Sequence, residues 1–431
     1  MIGLTIEDFA CIREARFELA PVTVLIGPQG SGKSVTTKLF YFCVDILSRQ
    51  HTCAEKGMTL EEFKAETAKL FKIWFPPSAW GRRRFNINFQ EGDFTVRFLR
   101  RMSKGAPSQE IAVTFSDFFC KQYTVLAQAY DRLKSAQELD EDGLLRGSEG
   151  LWRVREQAQA RLAKQLGANY LDGQTFIPAG RAFFTSIGRL VAAIEQGSSL
   201  DPVTIRFAKL FATLRDYSSR RIRFSRVNKE DKVRREAIMA ELFGGKIKFE
   251  SDFEFVETSD GRIIPFTALS SGQQELLPMW LLLDYYSDSP SRADRYGDLF
   301  YIEEPEAHLF PVAQSLLMDF LIGEVVSKKE KRSLVLTTHS PYILSKINNY
   351  LKAGQIGRNR KNSAAVSKIV PKEFWLTPSR VKAYAIKNGY LREIIDQDGL
   401  IDGSYIDSVS EDVSRDFSRL LDIEFPEGGD V

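Results

Sequence analysis

The clearest local pattern in the chain is Val22-Thr23-Val24-Leu25-Ile26-Gly27-Pro28-Gln29-Gly30-Ser31-Gly32-Lys33-Ser34. It opens with a β-branched, apolar run between Pro21 and Gly27, which predicts a buried strand. The rest fits the pattern G-x-x-x-x-G-K-[ST], in which small residues let consecutive backbone N–H groups surround a phosphate. A helix is expected from Lys33 to about Leu47, so that its N-terminus faces the bound anion.

This loop predicts ATP and Mg²⁺ as ligands. Lys33 is expected to neutralise the β- and γ-phosphates, and the hydroxyl of Ser34 to bind Mg²⁺. A chance glycine-rich turn is the alternative, but it explains neither the strand before the loop nor the helix after it. The candidate nucleotide-binding residues are Gly27, Pro28, Gln29, Gly30, Ser31, Gly32, Lys33 and Ser34.

A second apolar strand, Leu299-Phe300-Tyr301-Ile302, ends in Glu303-Glu304-Pro305-Glu306. The carboxyl edge of a sheet is where α/β proteins bind their ligands. Glu303 is therefore expected to hold Mg²⁺, mainly through water, and Glu304 to activate the attacking water as a catalytic residue. A solvated acidic strand end would explain one carboxylate, but not the pair together with the phosphate-binding loop.

A third buried strand, residues 333–337, leads into Thr338-His339-Ser340-Pro341. The chain has only 3 histidines, and two of them, His308 and His339, fall beside the motifs. His339 is expected beside the γ-phosphate as the second catalytic residue. The alternative is a structural histidine whose hydrogen bonds are all satisfied.

The stretch Leu269-Ser270-Ser271-Gly272-Gln273-Gln274-Glu275 precedes a long apolar helix, residues 276–286. As local structure it is a helix cap, with Ser270 or Ser271 at the N-cap. A helix N-terminus rich in small residues is also a suitable clamp for an anion. Ser270, Ser271, Gly272 and Gln273 are therefore further candidates for binding the nucleotide.

These elements follow one another in the order of the ABC ATPase superfamily, which the chain resembles. Residues 303–311 together with residues 270–275 resemble its OLD-like branch, prokaryotic ATPases related to the SMC-like repair proteins. The resemblance implies an ATP hydrolase that works as a head-to-tail homodimer, or as a higher homo-oligomer of dimers. In such a dimer, residues 270–273 contact the γ-phosphate of ATP bound to the opposite protomer.

At other positions the chain matches this branch in part and departs from it in part. The segment Phe176-Ile177-Pro178-Ala179-Gly180-Arg181 resembles a stretch of the same group, and Arg181 is expected to approach the nucleotide region. Gln29 replaces the Asn usual in the phosphate-binding loop, and Glu303 replaces the Asp of ABC transporters. Gln90 is a weak candidate for the Q-loop glutamine of the superfamily.

The predicted fold class is α/β, an ABC-type P-loop NTPase head with a helical-hairpin (short coiled-coil) insertion. Residues 1–115 form the first ATPase lobe, and residues 116–245 a mainly helical insertion whose strand near 175–178 returns to the core. Residues 246–431 form the second lobe, ending in a helical tail over about 407–424. The hairpin, within residues 117–168, is too short for the coiled coil of a true SMC protein.

A separate nuclease subunit is the expected effector. Asp396-Gln397-Asp398 is reminiscent of the metal-binding pair of Toprim nucleases, but its glycine-flanked setting favours a solvated acidic turn. The chain therefore resembles the ATPase subunits of bacterial anti-phage systems, of the PARIS type or the Septu type. That resemblance implies an effector nuclease encoded separately and a phage protein as trigger.

Composition and charge leave one alternative function open. Hydrophobic residues make up 43% and charged residues 27%, and no apolar run reaches the ~20 residues of a membrane span, so a cytoplasmic protein without a membrane partner is expected. The 4 cysteines are expected to be free thiols. The basic stretches fit nucleic-acid binding about as well as a solvated surface or intersubunit salt bridges, so a DNA-binding, SMC-like repair ATPase is the alternative. These stretches are Arg82–Arg84, Arg97 with Arg100, Arg101 and Lys104, and Arg220, Arg221, Arg223 and Arg226 with Tyr217 and Phe224 nearby.

Overall fold

The computed structural model describes residues 2–103, 105–137, 143–187, 201–219, 229–250, 254–288, 297–327, 331–403 and 415–420. These residues form an α/β protein with one 11-stranded mixed sheet and a separate 3-stranded antiparallel sheet. Among them, no helix is both long enough and apolar enough to cross a membrane.

Strands and helices alternate through most of the chain. The strands are β1 (Ile2–Phe9), β2 (Ile12–Glu18), β3 (Val22–Ile26), β4 (Asn86–Glu91), β5 (Phe94–Ser103), β6 (Ala106–Phe115), β7 (Leu171–Ile177), β8 (Gly245–Phe249), β9 (Glu254–Thr258), β10 (Ile263–Pro265), β11 (Gly297–Glu303), β12 (Arg332–Thr338), β13 (Val381–Lys387) and β14 (Tyr390–Glu393). The helices are α1 (Lys33–Glu55), α2 (Leu60–Trp74), α3 (Asp117–Gln137), α4 (Gly143–Leu166), α5 (Ala182–Ile187), α6 (Pro202–Ser219), α7 (Lys229–Phe243), α8 (Ser271–Asp288), α9 (Pro311–Phe320), α10 (Pro341–Gly357) and α11 (Arg360–Ile369). A π-helical segment, Leu321–Ser327, follows α9.

The large sheet has the strand order β6-β5-β4-β1-β2-β14-β13-β3-β12-β11-β7. From β13 to β7 the neighbouring strands run parallel, whereas β1, β2, β4, β5 and β6 pair antiparallel. Because parallel strands end at the same edge of a sheet, the segments that follow β3, β11 and β12 emerge side by side. The phosphate-binding loop, the acidic strand end and His339 are those segments.

The sheet bends around α1, which is buried along most of its length. The ring of Phe40 contacts Phe17 of β2, Phe89 of β4 and Tyr301 of β11, with centroids 5.1, 5.2 and 6.3 Å away. The helix extends to Glu55, well beyond the predicted end near residue 47. Its added turns are held by burial of further side chains, which a local pattern does not reveal.

The predicted helical hairpin is present as α3 and α4, and it packs on α1 instead of standing free. Leu126, Tyr130 and Leu162 belong to the same hydrophobic cluster as the residues of α1. Tyr123 donates a hydrogen bond from its hydroxyl to the carbonyl of Met58, just before α2. Helix α2 itself was not predicted, although Thr59 and Glu62 form a capping box at its start.

Before the predicted helical tail, the second lobe contains helices and strands that were not predicted individually. Residues 341–403 form α10 and α11 and then two strands, of which β13 pairs with β3 directly beside the phosphate-binding loop. The Asp396–Asp398 stretch is a turn, in which the carboxylate of Asp396 accepts from the N–H of Leu400. Of the predicted helix over 407–424, only residues 415–420 are described, and these are helical.

Candidate nucleotide-binding site

The phosphate-binding loop has a backbone that only glycine adopts easily at three positions. Gly27, Gly30 and Gly32 have φ angles of 152°, 72° and 112°. A Cβ on Gly27 would lie 2.8 Å from the carbonyl oxygen of Ile386 in β13, and a Cβ on Gly32 would lie 2.8 Å from Ile12. The neighbouring strands therefore press against this loop and fix its shape. The side chains of Gln29 and Ser34 are exposed at its open side, as is Pro28.

Lys33 is 6% exposed and folds back over the loop. Its Nζ donates to the carbonyl oxygens of Gly27 at 2.7 Å and Pro28 at 3.0 Å. Burial lowers the pKa of Lys33, while the negative charges of Glu304, Glu306 and Glu303 act in the opposite direction. The ammonium group thus lies in the field of the acidic strand end, where a phosphate would also be attracted to it.

The acidic strand end carries one buried and one exposed carboxylate. Glu303, at the end of β11, is 7% exposed, and its Oε2 accepts from the N–H of Ala179 at 3.4 Å. Glu304 follows with φ of 45°, a left-handed conformation that is unusual for a residue with a side chain. Such strain persists where the surroundings impose it, often at functional sites. It turns the Glu304 side chain, 40% exposed, away from the strand line and towards His339.

His339 is held by a residue whose role was not predicted. Its Nε2 lies 3.5 Å from Oε1 of Glu304. Glu306 accepts two hydrogen bonds of 2.7 Å on one carboxylate oxygen, from the backbone N–H of His339 and from the hydroxyl of Thr338. Glu306 therefore fixes the backbone that presents the imidazole. In the sequence, Glu306 is visible only as the third acid of Glu303-Glu304-Pro305-Glu306, and no function is predicted for it.

The site leaves buried polar atoms that a ligand could satisfy. In the described structure, four such atoms lack a hydrogen-bond partner: Ser31 Oγ, Glu303 Oε1, Glu306 Oε2 and His339 Nε2. Buried polar groups are rarely left unpaired, and several together usually mark a functional site or an absent ligand. The exposed hydroxyl of Ser34 and the carboxylate of Glu303, beside a phosphate cradle, form the donor set that Mg²⁺ uses with nucleotides. The residues therefore fit Mg²⁺ and a triphosphate.

Helix α8 begins with the predicted serine-rich cap. Gln273 donates its N–H to Oγ of Ser270, and Oε1 of Gln273 accepts from the N–H and the hydroxyl of Ser270. Its side-chain nitrogen donates to the carbonyl of Phe243 at 2.9 Å. Both the side-chain amide and the backbone N–H of Gln273 are thus used within the chain. Ser270 and Ser271 are exposed.

Gly272 allows α8 to lie against the loop that follows the acidic strand. A Cβ at Gly272 would lie 2.5 Å from the carbonyl oxygen of His308, so any larger residue would separate the two backbones. His308 itself has a positive φ of 59°. The start of α8 and the segment after β11 are therefore in direct contact within one chain.

Arg181 approaches the predicted nucleotide region from behind, at the acidic strand end. It is 0% exposed and donates to the carbonyls of Glu303 at 2.7 Å, Glu304 at 3.1 Å and Pro178 at 2.8 Å. Its Nε donates to the carbonyl of Glu275 at 3.1 Å, and its backbone N–H to the carboxylate of Glu275 at 2.8 Å. Arg181 thus joins helix α8 to strand β11. Glu275 was quoted in the sequence only as part of the helix cap.

Some of the basic residues are used inside the protein. Arg100 is 6% exposed and donates to the carbonyls of Ser108, Gly81 and Arg83. Arg83 bonds Asp8 at 2.7 Å. These contacts make Arg100 a structural residue and not a nucleic-acid contact. The stretch from Arg220 to Arg226 lies outside the described residues. Gln90, the weak Q-loop candidate, bonds the carbonyl of Gly92 within the β4–β5 hairpin.

Comparisons with solved structures find similarities at low sequence identity and low TM-score. An SMC head bound to the C-winged helix domain of ScpA has 11% identity and a TM-score of 0.40, covering 91% of this chain and 96% of that one. The SMC head domain from Thermotoga maritima has 12% identity and a TM-score of 0.36, covering 91% and 97%. A dimeric ATP-binding cassette in a post-hydrolysis state, bound to ADP and Pi, has 10% identity and a TM-score of 0.29, covering 90% and 97%.

Comparison with protein families gives the relationship of the chain. No curated protein matches the sequence. The family described as "AAA domain, putative AbiEii toxin, Type IV TA system" matches residues 126–345. This stretch is just over half of the 431 residues and holds the serine-rich helix start, the acidic strand end and His339. The chain belongs to this AAA domain family.

Proposed function

We propose that the chain binds and hydrolyses ATP with Mg²⁺ at the carboxyl edge of β3, β11 and β12. The observation that carries the proposal is the set of buried, unpartnered polar atoms that these three strand ends bring together. Ser31, Glu303 and His339 each contribute one of them from a different segment. Leaving such atoms unpaired costs about 1–3 kcal/mol each, and a bound nucleotide with its metal would relieve that cost.

In the proposed mechanism each residue has one task. The backbone N–H groups of residues 29–34 would surround the phosphates, and Lys33 would exchange its carbonyl partners for phosphate oxygens. Ser34 and Glu303 would hold Mg²⁺, which would supply charge neutralisation at the phosphates. Glu304 accepts the proton of the attacking water, and His339 donates a hydrogen bond to the terminal phosphate.

We infer further that two copies join head to tail around ATP. Ser270 and Ser271 are exposed at the N-terminus of the 18-residue helix α8, which suits them to contact a phosphate held by the partner copy. Apolar side chains next to the site are exposed as well, with Phe310 at 76% and Tyr342 at 54%. The helices that begin beside them are joined by a hydrogen bond between Gln314 and Ser340. Exposed apolar side chains of this kind are suited to an interface.

Two substitutions test the chemistry. Lys33→Ala should abolish ATP binding, because the buried ammonium that faces the phosphates is lost. Glu304→Gln should preserve ATP binding, slow hydrolysis about 100-fold or more, and trap the dimer. Glu61→Gln is the matched control, because the Glu61 side chain is 80% exposed on α2. Single-turnover hydrolysis and light scattering measure both effects. Normal hydrolysis by Glu304→Gln, or a strictly monomeric ATP-loaded variant, would refute the assignment.

We propose, finally, that the ATPase controls a separately encoded effector nuclease in bacterial anti-phage defence. Support comes from the resemblance of residues 270–275 and 303–311 to the OLD-like ATPases. Co-expression with the products of neighbouring genes, followed by co-purification and mass measurement, tests this role. A nuclease that binds only the ATP-loaded chain is the expected result. If the chain alone cleaved DNA or RNA, or if no neighbouring gene encoded an effector, the role would be abandoned.

A further inference from the structure

A groove between α10 and α11 is not used by the nucleotide site. Its cavity volume is about 440 Å³, and most of its lining side chains are apolar. Tyr350 and Phe374 form its floor and are 1% and 7% exposed. On its rim Ile369 is 83% exposed and Ile356 is 41% exposed. Removing exposed apolar side chains from water stabilises a complex, so a partner would gain from covering the rim.

The groove lies in a basic part of the chain. Residues 346–372 contain 7 Lys and Arg residues and no Asp or Glu. The acid that lines the groove, Asp319, is already bonded to Nζ of Lys346 at 3.1 Å and to the hydroxyl of Tyr350 at 2.6 Å. Lys352 lines the groove, and the remaining bases are exposed in the same part of the chain: Arg358, Arg360, Lys361, Lys368 and Lys372. An occupant should therefore combine an apolar face with negative charge.

One segment of this chain has both properties. Residues 404–431 contain 8 Asp and Glu residues against 2 Arg. Within this acidic segment, residues 415–420 are helical, and Phe417 and Leu420 are 61% and 63% exposed. Residues three apart lie on the same face of a helix, so these two side chains form one apolar edge. The negative charge of residues 404–431 and this apolar edge both complement the groove.

The chain leaves the described core along α10, the helix that forms one wall of the groove. Asn348 of α10 exchanges two hydrogen bonds with Ile401, at 2.8 and 2.9 Å, and Gln355 donates to the carbonyl of Asp398 at 2.7 Å. Asn349 and Ile356, the next residues along α10, line the groove. Residues 404–414 connect this point to the helix and can span up to about 40 Å. A connection this short gives an effective concentration in the millimolar range, which favours docking within one chain.

We propose that the helix around Phe417 and Leu420, within the acidic segment 404–431, docks into the α10–α11 groove of its own chain. The apolar pair covers Ile356 and Ile369, and the acids that flank the helix face the bases of α10 and α11. Docking does not depend on ATP binding or hydrolysis. The docked helix would nevertheless contact an element that begins at the nucleotide site, because α10 starts at Pro341, two residues after His339.

Hydrogen exchange in the full-length chain tests the docking. In Phe417→Glu/Leu420→Glu the backbone amides of α11 should exchange about tenfold faster or more, because the cover of the groove is lost. Val125→Glu is the control, since Val125 is 42% exposed on α3, away from the groove. The control should leave α11 unchanged. Equal exchange of α11 in the wild type and the double variant would overturn the proposal.

A binding experiment identifies the occupant. A labelled peptide of residues 404–431 should bind the double variant saturably, and Ile369→Glu in that variant should abolish binding. A peptide with the same residues in scrambled order should not bind; equal binding would mean that charge alone acts, and would overturn the proposal. The proposal would also be overturned if the double variant bound a short DNA duplex but not the peptide, and if Lys352→Glu/Lys368→Glu abolished that DNA binding. Cross-links between α11 and the helix must form within single chains; cross-links only between copies would overturn it too.

Discussion

At the scale of single residues, Glu306 has the most specific unassigned task at the site. One oxygen of its carboxylate holds both the backbone of His339 and the hydroxyl of Thr338. Glu306→Ala should lower ATP turnover about 10- to 100-fold while ATP binding persists, because the imidazole would lose its fixed position. Measured kcat and nucleotide affinity separate the two effects.

Glu306→Gln is the matched variant for this prediction. It keeps an oxygen that can accept both hydrogen bonds and removes only the negative charge, so most of the turnover should return. A role in metal binding would give the opposite pattern, with both variants equally inactive and rescued by higher Mg²⁺. That result would contradict the positioning role of Glu306.

Residues of the site differ in how far the sequence reveals them. Gly27 and Lys33 could be assigned because the glycines, the lysine and the flanking strand and helix lie in one local pattern. Glu306 was visible as an acid, but its partner His339 is 33 residues away. Arg181 contacts Glu303 across 122 residues of sequence, so no spacing rule brings the two together. What remained hidden were contacts that only the folded sheet creates.

At the scale of elements, the same limit explains the strands that were missed. The run from Val22 to Ile26 is apolar and β-branched, and its structure as β3 matches the predicted bounds. Its neighbour β13 contains two lysines and two alanines, so its sequence alone does not indicate a buried strand. It is nevertheless mostly buried, because it pairs with β3 over Val381 to Ala385. Tertiary pairing, more than propensity, decides such a strand.

Arg181 links two elements, and its removal should uncouple them. Arg181→Met should destabilise the fold by about 3–5 kcal/mol, because the carboxylate of Glu275 would remain buried without its charge partner. In Arg181→Met/Glu275→Gln much of that loss should be recovered, since the buried charge is gone as well. ATP turnover should stay low in both variants, because the carbonyls of Glu303 and Glu304 are no longer held from behind. Denaturant unfolding and turnover of the two variants check this pattern; full recovery of turnover in the double variant would make Arg181 purely structural.

At the scale of the whole molecule, the curved sheet brings its distant strands together. Strands β4 and β7 are far apart in the strand order, yet Oε1 of Glu91 at the end of β4 accepts from the N–H of Leu171 at the start of β7. Glu91 is 0% exposed, and its second carboxylate oxygen has no hydrogen-bond partner in the described structure. Closure of the sheet around α1 therefore buries a carboxyl group at the seam, the place where β4 and β7 meet.

This burial makes the stability of the molecule depend on pH. Burial raises the pKa of Glu91 to about 8 from its ordinary 4.5, while the hydrogen bond from Leu171 acts in the opposite direction. Between these two values the folded protein keeps a proton that the unfolded chain has released. The free energy of unfolding should therefore fall as pH rises through this window, by up to about 1.4 kcal/mol per pH unit, and show no further loss from this group above it.

Glu91→Gln should remove that dependence, because the amide is neutral at every pH and keeps the oxygen that faces Leu171. Relative to the wild type, the variant should gain about 2 kcal/mol of stability between pH 6 and pH 8. Taking the difference between the two proteins cancels the contribution of His51, whose pKa burial lowers to about 4. Urea unfolding at both pH values measures it, with the exposed Glu61→Gln as control. If the difference in unfolding free energy between the two proteins were the same at both pH values, Glu91 would be ionised in the folded protein. Water or a conformational change at the seam would then solvate its charge.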